Sequence, residues 1–275
     1  MSHLKIFNVI IFLLVFAAVT SCQKVIHIDL NSSSPQYVVQ GNVTDTLGSY
    51  SVYLTKSINF NQNNTPVTVS GAIVSITDTN SKIVDSLYEL NPGINPGFYQ
   101  TRGIVQGIPG HTYYLYINAN GKILTAYSTM PQPVPLDSIY VQIAGFRHSS
   151  YQVVPEYFDP ATTGHFYHFI LTQNDTVSGA NYTRSDNLTR GHLVTEPLGG
   201  GGGSSNLGPI VAGDVLTVEM QCIDSMTYQF YFTLSQSQNA NSATPTNPVS
   251  NIMGGQCLGY FSAHTSQSLS MVVPY

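Results

Sequence analysis

Two segments near the middle of the chain constrain its fold more than any other feature. Thr112–Asn118 (TYYLYIN) and Lys122–Ser128 (KILTAYS) alternate in side-chain character, with Ala119-Asn120-Gly121 between them. A period of two directs successive side chains to opposite faces of a sheet, and Asn-Gly supplies the positive φ angles of a tight hairpin. The same rhythm recurs at Tyr37–Val43, Tyr50–Thr55, Ala72–Thr77, Lys82–Leu87 and Phe98–Gln100. Seven or eight short strands, separated by Gly, Pro and Asn, predict a β-sandwich over residues 36–130. Residues 131–136 (PQPVPL) form a stiff Pro-rich connector and mark a domain boundary. Beyond it, Asp137–Ile143, Tyr151–Tyr157, His165–Thr172 and Asp214–Cys222 again read as strands, so residues 137–275 form a second β-rich domain. The fold class expected is mainly β, an Ig-like sandwich followed by a β-rich domain with at most one or two short helices.

One stretch is ambiguous. In Ser225–Gln238, Met226, Tyr228, Phe230, Phe232 and Leu234 alternate as a strand would, and this slightly favours strand. Met226, Phe230 and Leu234 are also four apart, and Asp224 or Ser225 could cap a helix. The run Gly199–Gly203, continued by Ser204-Ser205, reads as a flexible loop. No Lys-Ser/Thr follows it, as a phosphate-cradling loop would need.

The N-terminus has a different character. Lys5 gives a short basic start, and Ile6–Val19 is apolar apart from Asn8, too short for a permanent spanning helix. It ends in Val19-Thr20-Ser21-Cys22, small residues before a cysteine, which resembles the lipobox of bacterial lipoproteins. That resemblance implies a signal peptide over residues 1–21, lipid attachment at Cys22, and a tether completing residues 22–35. Acyl chains on one cysteine would meet the two-signal requirement for stable anchoring. The chain is then expected to be attached to a membrane and not to cross it.

Charge narrows the functional classes. Only 9 Lys+Arg and 14 Asp+Glu are present, 8% of the chain, against about a quarter in an ordinary domain. So few basic residues and a net −5 argue against nucleic acid, whose phosphates are neutralised by Lys and Arg. Carboxylate chemistry is also poorly supplied: the four glutamates are Glu89, Glu156, Glu196 and Glu219, far apart in sequence. His165 and His168 are close together, but a spacing of three on a strand sends them to opposite faces, poor for a shared metal. No nucleophile, zinc or P-loop motif occurs, so no catalytic, cofactor or metal residue is assigned and the chain is read as a non-enzyme. Tyr113, Tyr114 and Tyr116 could stack on sugar rings, although packing on a half-exposed sheet is the better reading.

Two further patterns leave alternatives open. Cys222 and Cys257 are compatible with one disulfide in an exported protein, or with two buried thiols. Asp-Ser/Thr-aliphatic recurs at Thr46, Ser86, Ser138, Thr176 and Ser225, each preceded by Asp. This resembles the periplasmic O-glycosylation motif of Bacteroidota. Aspartate before a hydroxyl residue is also ordinary turn and capping chemistry.

A set of ordered segments resembles a known family. They are Val38-Val39-Gln40-Gly41, Gly71-Ala72-Ile73-Val74, Gly107-Ile108-Pro109-Gly110-His111-Thr112-Tyr113, Pro133–Ile139, Asn247–Ile252, Gly254-Gly255 and Leu258-Gly259-Tyr260-Phe261-Ser262. Their order is similar to that of domain-of-unknown-function family 4249, Bacteroidota lipoproteins often encoded beside TonB-dependent receptors. Residues 36–130 separately resemble a transthyretin-like or carboxypeptidase-regulatory sandwich. The resemblance implies a helix-like Ser225–Gln238, against the periodicity, and transfers no catalytic residue. It implies an outer-membrane, lipid-anchored accessory or substrate-capturing partner of a TonB-dependent receptor barrel, expected at the cell surface, with the periplasmic face as the alternative. The polyglycine loop and Asn247–Phe261 are the default contact surfaces, although the turn formers in the latter equally suit a structural loop locking the last strand. The alternatives are an independent glycan- or peptide-binding module, and a hydrolase using Glu219 or His168.

Overall fold

Period-two segments become strands wherever one face can be buried, and this chain supplies them almost throughout. A computed structural model describes residues 34–58, 65–144, 150–198, 206–238 and 247–275. The leader, Cys22 and the run Gly199–Gly203 lie outside the described residues. The strands are β1 (Tyr37–Thr44), β2 (Ser51–Lys56), β3 (Val67–Thr68), β4 (Ile73–Asp78), β5 (Ile83–Glu89), β6 (Phe98–Thr101), β7 (Thr112–Ala119) and β8 (Lys122–Thr129). They continue with β9 (Ser138–Ala144), β10 (Ser150–Phe158), β11 (Phe166–Gln173), β12 (Thr176–Val177), β13 (Tyr182–Ser185), β14 (Leu193–Val194), β15 (Val215–Ile223) and β16 (Cys257–Val272). The expectation of a mainly β, sandwich-like architecture is met.

Thirteen strands share one sheet, in the order β12-β11-β15-β16-β1-β2-β6-β5-β4-β7-β8, with β13 also on β11 and β3 on β2. The remaining sheet is β14-β10-β9. β7 and β8 form the hairpin expected from the sequence, turning at Asn120 (φ 54°) and Gly121 (φ 82°). The central joint is β1 on β16, a parallel pairing from Tyr37↔Cys257 to Thr44↔His264. It places two of the family-like segments, VVQG and LGYFS, side by side. Their glycines have a steric reason: a Cβ on Gly259 (φ +96°) would lie 1.8 Å from the Val39 carbonyl oxygen, and one on Gly41 would meet the Phe261 ring at 2.9 Å.

One face of the long sheet is buried in two clusters. In the first, Val39, Val52, Leu54, Val74, Ile76 and Leu115 pack with Phe261 and Ala263 as the β7–β8 end curls over β16. In the second, Tyr167, Phe169, Val218 and Met220 pack against Val153, Tyr157 and Leu198 of the small sheet and its bridge. The Pro-rich connector is docked onto the second cluster. Val134 and Leu136 are buried there, Val134 N–H donates to Cys222 Sγ at 3.4 Å, and Leu136 N–H donates to Gln267 Oε1 at 3.1 Å.

Ser225–Gln238, slightly favoured as strand by its alternation, contains helix α1 (Ser225–Ser237). Asp224 caps it, accepting the Thr227 N–H at 2.8 Å, and its other carboxylate oxygen accepts Ser128 Oγ at 2.5 Å. Ser128 Oγ in turn accepts the Ala263 N–H at 2.8 Å, so one aspartate ties α1 to β8 and β16. The cap, together with a sheet face needing cover, overrides the period-two pattern.

Candidate functional site

Two of the titratable residues flagged from the sequence, His168 and Glu219, meet on the sheet face that α1 covers. On β15, Leu216, Val218, Met220 and Cys222 point to the core, leaving Thr217, Glu219 and Gln221 on the other side. Register sets His168 of β11 opposite Gln221, and Gln221 opposite Ser266 of β16. His168 Nδ1 donates to Gln221 Oε1 (3.0 Å), and Gln221 Nε2 donates to Glu219 Oε1 (2.7 Å). Ser266 Oγ also donates to that oxygen (2.7 Å). His168 is further stacked on Tyr231 of α1, with ring centroids 3.9 Å apart and planes 10° from parallel.

Burial holds the His168 imidazole below its ordinary pKa, although Gln221 and Glu219 oppose that shift. Tyr231 is pushed well above the usual tyrosine value for the same reason. His264 belongs to this layer, buried with Nδ1 3.0 Å from Ser262 Oγ, and burial lowers its pKa to about 4. These neutral histidines are buried packing groups, with His168 beneath Tyr231 of α1. His165 is elsewhere, bonded to Thr162 Oγ1 at 2.9 Å, so it does not converge with His168. Among the described residues no three His, Cys, Asp or Glu side chains gather as metal ligands. His264 was missed by sequence reasoning, although Tyr260-Ser262-His264-Ser266-Ser268 against Phe261-Ala263 carries the strand period.

The pairing considered for Cys222 and Cys257 is not made: both are buried free thiols. Cys222 lies opposite Thr265, eight residues further along β16 than Cys257, roughly 26 Å at the rise of a strand. A disulfide needs its Cα atoms within about 7 Å. The Asn247–Phe261 segment does structural work. The Asn251 side chain clamps the Phe261 backbone, accepting its N–H at 2.9 Å and donating to its carbonyl at 2.7 Å. Met253 pairs with Thr125 on the outer edge of β8. Tyr113 is core, its hydroxyl accepting the Ile108 N–H at 2.8 Å, while Tyr114 and Tyr116 are partly buried on the opposite side of β7.

Of the Asp-Ser/Thr positions, Thr46, Ser86, Thr176 and Ser225 are exposed. Ser138 is half-buried, its hydroxyl donating to Glu156 Oε1 at 3.3 Å. Asp224 is a helix cap and Asp175 (φ 63°) sits in the β11–β12 turn, so turn chemistry explains part of the recurrence.

Away from α1 the same sheet face opens to solvent and carries a groove of about 560 Å³. Its floor is Gln40, Tyr53 and Phe98, three residues in register across β1, β2 and β6. Thr68 of β3 and the turn Ile94-Asn95-Pro96 complete its lining. The aromatic and amide character continues along the strip, where Gln100 Nε2 donates to the Tyr88 hydroxyl at 3.1 Å and Arg102 lies over the Tyr88 ring. The residues themselves are plain in the sequence, but only the register across three strands collects them.

No curated protein matches the chain significantly. The family model described as domain of unknown function (DUF4249) matches residues 23–270, all but the first 22 and last five residues, and the chain belongs to that family.

Proposed function

We propose that the protein is a non-enzymatic lipoprotein anchored to the outer membrane through Cys22, serving a TonB-dependent receptor barrel as an accessory that captures its cargo. The observation that carries this reading is a junction. The family match begins at Gln23, the residue after the cysteine that closes the lipobox-like leader, so everything before it has the character of an address. Family resemblance supplies the receptor as neighbour. The open groove on the sheet supports a capture role, since ligand sites are concave, mixed in polarity and about this size.

The alternative, a module that binds glycan or peptide independently of any receptor, draws on the same groove. The hydrolase alternative, using Glu219 or His168, is the less favoured, because His168 is buried, held by Gln221 and covered by Tyr231, while the half-buried Glu219 already accepts from Gln221 and Ser266. Affinity purification of the full chain from detergent-solubilised outer membranes tests the proposal. Stoichiometric recovery of a receptor barrel, together with loss of membrane association in Cys22→Ala, is expected. A wild-type chain that stays in the membrane but brings down no barrel leaves the independent module as the better reading.

A further inference from the structure

The capture reading leaves the ligand unnamed, and the groove narrows it. Among the described residues none that lines it carries a charge, which disfavours a phosphate, a uronate or a basic peptide. Its floor sets two rings, Tyr53 and Phe98, directly opposite one another on β2 and β6, with the Gln40 amide beside Tyr53 on β1. Directly opposed residues stand about 5 Å apart at the backbone, so both rings rise from neighbouring positions on the floor. The rim adds the Asn95 amide and the Thr68 hydroxyl. Rings flanked by neutral donors and acceptors suit a ligand with an apolar C–H face and an uncharged hydroxyl edge, which describes a pyranose. An extended peptide would draw its affinity from main-chain pairing along a free edge. β1, β2 and β6 are each flanked by a strand on both sides, so the floor presents side chains only.

We infer that the groove over Gln40, Tyr53 and Phe98 binds a neutral oligosaccharide, with sugar rings on Tyr53 and Phe98 and hydroxyl groups on the Gln40 and Asn95 amides. The inference rests on the capture reading but not on the receptor, and its test uses neither membrane nor barrel. Isothermal titration of the full mature chain in detergent would use gluco-, manno-, galacto- and xylo-hexasaccharides, an uncharged hexapeptide and an oligogalacturonate. At least one neutral hexasaccharide should bind at one site per chain. Gln40→Ala should weaken it about tenfold and Tyr53→Ala at least as much. Gln40 is exposed, so its removal leaves stability unchanged, and unfolding curves of both variants separate lost binding from lost fold. Absence of binding by all four sugars, binding that survives both substitutions, or preference for the peptide or the anionic oligomer would each overturn the assignment. A receptor recovered with a chain that binds no sugar would overturn this inference alone.

Discussion

Replacing Gly259 by alanine should cost about 4 kcal/mol, most of it through a single methyl group. The new Cβ would sit 1.8 Å from the Val39 carbonyl oxygen, 2.7 Å from its carbon and 2.8 Å from its nitrogen. All three are backbone atoms, so no rotamer change relieves the overlap, and β1 must move away from β16. The φ of +96° adds a conformational penalty of about 1–2 kcal/mol for any L-residue. Separating the strands near Val39 weakens two or three ladder hydrogen bonds, each worth about 1 kcal/mol net. It also loosens Phe261, fully buried against Gly41 two positions on in the register. Against a total stability of about 5–15 kcal/mol that is a large fraction. Urea unfolding followed by tyrosine fluorescence measures it, with Gly48→Ala as control, because a Cβ there meets nothing within 4 Å. A Gly259→Ala chain within about 1 kcal/mol of wild type would refute the role given to the β1–β16 joint.

Other consequences are equally direct. His264 falls from 6.5 to about 4 on burial, so the unfolded chain binds a proton that the fold refuses, and stability should be full above pH 6.5. It should then decline by about 3 kcal/mol as the pH drops to 4, and His264→Asn should flatten that slope in urea titrations across the range. Burial alone would raise Asp78, but hydrogen bonds from His111, Ser81 and Asn80 hold it below the ordinary carboxylate value. Its contribution is present above the unfolded aspartate pKa and lost on further acidification, so Asp78→Asn should remove part of the stability measured at pH 7. Asp224→Ala removes the α1 cap and the partner of Ser128, and thermal unfolding should show a loss of about 1–2 kcal/mol. Thiol labelling of the Cys22→Ala chain should find Cys222 and Cys257 only after denaturation, with no mass change on reduction; protection by a disulfide would contradict the register of β15 and β16.

Much of the strand content was legible because a half-buried strand writes its period into the chain. β7, β8 and their Asn120-Gly121 turn follow from residues at most a few positions apart. β16 was readable in the same way, from Tyr260 to Ser270, yet its histidine drew no attention because a lone residue gives no hint of what will cover it. The helix was misjudged by periodicity since Met226–Leu234 satisfies both repeats, and the Asp224 carboxylate chooses between them only once Ser128 and Ala263 are beside it.

Local alternation and turn residues thus state which segments are strands. They are silent on partners, because a strand's period is satisfied by any neighbour with a matching face. Packing decided that β1 pairs with a strand more than two hundred residues away, that Cys222 and Cys257 stay apart, and that His168 is sealed while Gln40, Tyr53 and Phe98 line an open groove. Low charge fits that arrangement: among the described residues the groove is lined by ring faces, amides and a hydroxyl rather than ions.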